Sequence, residues 1–110
     1  MSDESGMVFG STYEQYFYEA LVKAKLRFDY QVPFFGGRVR GGTVVDFVVY
    51  NPDAVLVYVD GARWHVENKR RAYEDALLRA RLQAMGYVIK AIGEEAETPE
   101  GCAKWIKENL

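Results

Sequence analysis

The chain has 110 residues, enough for one domain and little more. Its 49% hydrophobic content supports a buried core and argues against disorder. A net charge of −2 argues against a protein that coats nucleic acid non-specifically, because such coating needs a broad basic surface. The single cysteine, Cys102, has no partner for an internal disulfide or a cysteine-rich zinc site, so a reducing compartment is the expected home. The polar, acidic stretch from Met1 to Gly10 lacks the basic start and apolar run of a secretory signal, and no segment is apolar for long enough to span a bilayer. The expectation is one cytoplasmic domain over 1–110, with 1–10 a flexible leader.

Ser11, with Glu14 three residues on, reads as a capping box opening a helix that ends near Leu26. Phe17, Leu21 and Ala24 form its buried stripe. Phe28, Tyr30 and Val32 then alternate with polar residues, a strand with one buried face that Pro33 closes. Gly36-Gly37 and Gly41-Gly42 bracket a turn that exposes Arg38 and Arg40.

Thr43 to Tyr50 is β-branched and aromatic almost throughout, which suits a strand buried on both faces. Asn51-Pro52-Asp53 is a turn, and Ala54 to Asp60 is the second arm of a hairpin. Gly61 to Val66 is a loop carrying Arg63, Trp64 and His65. Asn68 can cap a helix from about Lys69 to Met85, with Tyr73, Ala76, Leu77, Ala80 and Ala84 along one side and Gly86 stopping it. Tyr87 to Ile92 is a fourth strand, brought parallel to its neighbour by the crossover helix. Thr98 caps a last helix with Pro99 in its first turn.

Each of the two apolar strands carries one charge. Asp46 lies mid-strand, where a buried carboxylate must be paired, protonated or metal-bound. Asp60 ends the next strand and shares a face with Leu56 and Tyr58. A hairpin turn at Asn51 to Asp53 brings Asp46 level with Tyr58, so both carboxylates can reach one cation. Oxygen donors select Mg²⁺, with Mn²⁺ as substitute. His65 can move a proton, or it is structural. Glu14 shares the inward side of its helix with Phe17 and Leu21 and can serve both the cap and the site. Asp60 before Gly61 also suits plain turn chemistry. Arg38, Arg40, Arg63, Lys69, Arg70 and Arg71 are candidate phosphate contacts on an otherwise solvated surface. Three cations at a helix start oppose its dipole, a local cost that points beyond helix stability. Asp75 is placed to pair with Arg71 or Arg79. Glu94, Glu95 and Glu97 read as a solvated linker.

The runs Val45-Asp46-Phe47, Leu56 to Gly61 and Trp64-His65 resemble the PD-(D/E)XK nuclease superfamily. They are most similar to the branch of very-short-patch mismatch-repair endonucleases and small phage and bacterial proteins with an aspartate-glycine-x-x-histidine signature. Glu14, the Gln31 strand, Asp75 and Leu82 to Tyr87 share in the likeness, which spans Thr12 to Ile92. It implies an α/β, restriction-endonuclease-like core: a mixed four-stranded sheet flanked by helices in the order α-β-β-β-α-β-α.

The likeness also implies roles. Asp46 becomes the central metal ligand, joined by the Val59 backbone carbonyl. His65 becomes the catalytic histidine, and Glu14 holds a metal-bound water. The superfamily's second acid falls at Tyr58, and Asp60 stands where a lysine is usual. The cysteine and histidine ligands of the repair branch's structural zinc are missing, which removes mismatch repair itself.

The implied function is metal-dependent hydrolysis of DNA phosphodiesters by an endonuclease, in a phage, repair or recombination setting. A domain this small has few surfaces for reading sequence. That points to structure-selective cleavage of branched or nicked DNA, a homodimer, or a separate DNA-recognition subunit. The alternative is a degenerate nuclease-fold module that binds nucleic acid or a protein without cutting.

Overall fold

A computed structural model of the chain describes residues 11–60 and 69–110, and in the helix that opens the second stretch it describes side chains from Tyr73 onward. The expected leader, Met1 to Gly10, and the Asn68 cap lie outside the described residues. The elements run α1 (Thr12–Lys23), β1 (Arg27–Phe34), β2 (Thr43–Tyr50), β3 (Ala54–Val59), α2 (Lys69–Ala84), β4 (Val88–Ile92), a 3-10 turn (Glu94–Glu97) and α3 (Pro99–Asn109). The sheet order is β1-β2-β3-β4, antiparallel at the first two pairings and parallel at the last. The fold is thus α/β with a mixed four-stranded open sheet. No helix among the described residues is long and apolar enough to cross a membrane.

Two helix starts follow their caps. The Ser11 Oγ accepts the Glu14 N–H at 3.1 Å, and the Thr98 Oγ1 accepts the Gly101 N–H at 2.9 Å. The ends of α1 and α2 share one device. Leu26 N–H donates to the Leu21 carbonyl and Lys25 N–H to the Val22 carbonyl; Tyr87 N–H and Gly86 N–H repeat the pattern on Leu82 and Gln83. The residue between cap and strand is left-handed in both, Gly86 at φ +98 and Lys25 at φ +60. Gly86 announces itself in the sequence and Lys25 does not, so α1 stops at Lys23 rather than near Leu26.

Helices α1 and α3 cover one face of the sheet. Phe17, Leu21, Phe47, Val49, Val57, Ile92, Trp105 and Ile106 are buried between them. The opposite face carries Val45, Val48, Leu56 and Tyr58, and α2 closes it with Leu82. The α2 side that carries Tyr73, Ala76, Leu77, Ala80 and Ala84 is the exposed one: Tyr73 and Leu77 are 67% and 54% accessible, whereas Leu82 is at 0%. The inward side is built from Asp75, Leu78, Arg79 and Leu82. Alanines with a tyrosine give a helical stripe as regular as two leucines with an arginine. Only the position of the sheet selects between them.

Strand β1 also departs from simple alternation, and it continues through Pro33 to Phe34. Residues two apart on a regular strand share a face. Here Phe28 and Tyr30 pack into the α1–α3 core, while Val32 and Phe34 pack against the other. Strand β2 switches at the same level, with Phe47 in the first core and Val45 in the second. The register sets Tyr30 opposite Phe47 and Val32 opposite Val45, leaving Gln31 facing Asp46. Gln31 lies at φ +52, a left-handed conformation that turns the strand over at this point.

Candidate functional site

The switch point is where the polar side chains gather. Pairing of β2 with β3 runs from Tyr50–Ala54 to Phe47–Val57. One step further, the Asp46 carboxylate takes over, and its Oδ2 accepts the Val59 N–H at 2.8 Å. Burial pushes the Asp46 carboxyl up to about 7, against the pull of the Val59 N–H. The negative charges of Glu14 and Asp60 push the same way, and the Arg79 cation offsets part of this.

Glu14 does two jobs through two oxygens. Its Oε2 accepts the Ser11 hydroxyl at 3.3 Å, which keeps it at the helix start. Its Oε1 accepts the Tyr30 hydroxyl at 2.9 Å and the Gln31 amide at 3.5 Å. Gln31 also donates to the Tyr30 hydroxyl at 3.2 Å. The left-handed turn at Gln31 thus aims a polar side chain from β1 at α1, and ties the first helix to the strand facing Asp46.

Asp60 is held by Arg79 of α2. Nη1 and Nη2 donate to its two oxygens at 2.8 and 2.9 Å, a bidentate pair. The Arg79 guanidinium also lies 3.9 Å from the Tyr58 ring centroid. Burial works against the Arg79 cation, but the Asp60 carboxylate outweighs it and Arg79 is held more firmly charged than usual. Tyr58 is almost fully buried, and its phenol is raised by that burial, with Thr43 and Arg79 acting the other way.

The charges of Glu14 and Asp60 thus both act on Asp46. Asp60 meets Arg79 with both oxygens. The Val59 backbone meets Asp46 through its N–H. Among the described residues, no group of three or more His, Cys, Asp or Glu side chains is arranged to hold a metal ion. Arg38 and Arg40 are exposed in the turn between β1 and β2. Arg63 and His65 lie outside the described residues, as do the side chains of Lys69, Arg70 and Arg71.

Arg79 is the participant that local sequence reasoning passes over, since only a pairing with Asp75 suggests itself there. Nineteen positions separate it from Asp60. The one available signal is an arginine flanked by Leu78 and Leu82 on the helix side that meets the sheet. No family model, curated protein or solved structure matches the chain.

Proposed function

We propose that the chain is a restriction-endonuclease-like domain of the PD-(D/E)XK type that hydrolyses DNA phosphodiester bonds, selecting branched or nicked DNA. One observation carries the reading. Asp46 stands where β2 parts from β3, a carboxylate driven up to about 7 by burial and two carboxylate neighbours. Burying such a group costs a strand interior free energy, whereas a cation site needs one.

The donor chemistry fits a hard divalent cation, Mg²⁺ with Mn²⁺ as substitute, because the groups present are carboxylate oxygens. Asp46 would hold the ion, and Glu14 would hold water beside it. Bound there, the ion would neutralise phosphate charge and acidify a water. The Val59 N–H keeps the Asp46 carboxylate oriented, and Arg79 balances Asp60. His65 takes the proton-transfer role on the strength of the family resemblance alone. Arg38 and Arg40 would contact DNA phosphates, as would Arg63, Lys69, Arg70 and Arg71.

The test is cleavage of plasmid, single-stranded and four-way-junction DNA with Mg²⁺ or Mn²⁺, with Asp46→Asn as the control. Cleavage by the wild type that Asp46→Asn abolishes supports the reading; cleavage that survives the substitution sinks it.

One feature favours a second reading, a domain that binds DNA or a protein without cutting. Tyr58 fills the usual acid position, and Arg79 occupies both Asp60 oxygens while covering the Tyr58 ring. Junction binding without cleavage under every metal condition would select it.

A further inference from the structure

The outward side of α2 is apolar without a role in the core. Tyr73, Leu77, Ala80 and Ala84 recur at steps of four, three and four, and all are exposed. That spacing is a heptad seam on a helix whose other side already packs on the sheet. Glu74 and Arg81 stand seven residues apart on one margin of the seam, both exposed. The Arg81 guanidinium lies over the Phe35 ring at 3.8 Å, which fixes its side chain beside the stripe.

We propose that this face is the interface of a homodimer in which two copies of α2 pack antiparallel about a two-fold axis. Two complementarities select a second copy of the chain as occupant. In that arrangement Tyr73 lies opposite the partner's Ala84, and Leu77 opposite the partner's Ala80. Each large side chain meets a small one, and each contact occurs twice, as an isologous interface requires. The same arrangement sets Glu74 against the partner's Arg81, and Arg81 against the partner's Glu74. Antiparallel seams pair like margins, so opposite charges on one margin attract, whereas a parallel pairing loses this match. Exposed Met85, just past the helix end, widens the apolar patch. The seam is two heptads long, so the interface is small and the dimer dissociates in the micromolar range. The proposal is independent of the nuclease reading.

Sedimentation equilibrium of the full chain from low micromolar to millimolar concentration tests it. The wild type should rise to twice the monomer mass. Leu77→Glu should stay monomeric, with unchanged far-UV circular dichroism because Leu77 is outside the core. Glu74→Arg should weaken association about fivefold, and Glu74→Arg with Arg81→Glu should recover most of it. A wild type that stays monomeric throughout overturns the proposal, as does a dimer indifferent to Leu77→Glu. A charge reversal that the double variant fails to rescue overturns the antiparallel arrangement.

Discussion

The Asp46 carboxylate accepts the Val59 N–H at 2.8 Å, so a side chain makes the next hydrogen bond beyond the Phe47–Val57 pairing. The backbone of β2 is thereby free to turn over opposite Gln31, while β3 keeps a partner. This one contact holds the strand ends together at the point where the acidic cluster forms, and it makes Asp46 both a structural and a chemical group.

Stability should fall with rising pH because of Asp46. The folded carboxyl is raised to about 7 from an ordinary value of 3.8, so the folded state holds this proton more tightly than the unfolded chain. The contribution is full below about pH 4 and is lost as pH rises through about 7. Asp46→Asn should flatten that part of the profile. Urea unfolding of both proteins across this window measures it, and parallel slopes would remove the assignment.

Divalent cations and protons should compete for the same carboxylate. Thermal stabilisation by Mn²⁺ should therefore grow as pH rises through about 7 and vanish in Asp46→Asn. At a hundredfold excess over its dissociation constant, a ligand bound only by the folded state adds about 2.7 kcal/mol. Calorimetric melting with and without Mn²⁺ reads this directly, and equal shifts in wild type and variant would move the cation elsewhere.

Arg79→Met should cost about 2 kcal/mol, since it leaves Asp60 part-buried without its bidentate partner and uncovers Tyr58. Arg79→Lys should recover little of that loss, because one ammonium cannot reproduce two parallel hydrogen bonds and a stacked plane. Denaturant midpoints of the two variants decide the matter. A lysine variant equal to wild type would show that charge alone suffices.

The two sides of α2 should respond unequally to truncation. Leu82→Ala empties a fully buried site and should cost about 3 kcal/mol. Leu77→Ala, measured where the chain is monomeric, should change stability by less than about 0.5 kcal/mol. Unfolding curves for the pair test which side of the helix meets the sheet.

The order of elements, the caps at Ser11 and Thr98, the Gly86 stop and the anomaly of Asp46 were all legible in the sequence. Each depends on contacts within a few residues, or on a charge that interrupts an apolar run. The inward side of α2 was not legible, because its two stripes are equally periodic and the distant sheet chooses between them. The reversal of β1 and β2 at Gln31 and Asp46 was hidden as well. A left-handed residue inside a strand leaves no mark in hydrophobic alternation, and here it is tied down by Glu14 from another element. The Arg79–Asp60 pair belongs with these, since β3 and α2 meet only when the chain is folded. What the sequence alone determined about Asp46 was that its charge needed a reason. The tertiary structure supplied the neighbours: a Val59 N–H that orients it, burial that raises it, and the Glu14 and Asp60 charges that add to that rise.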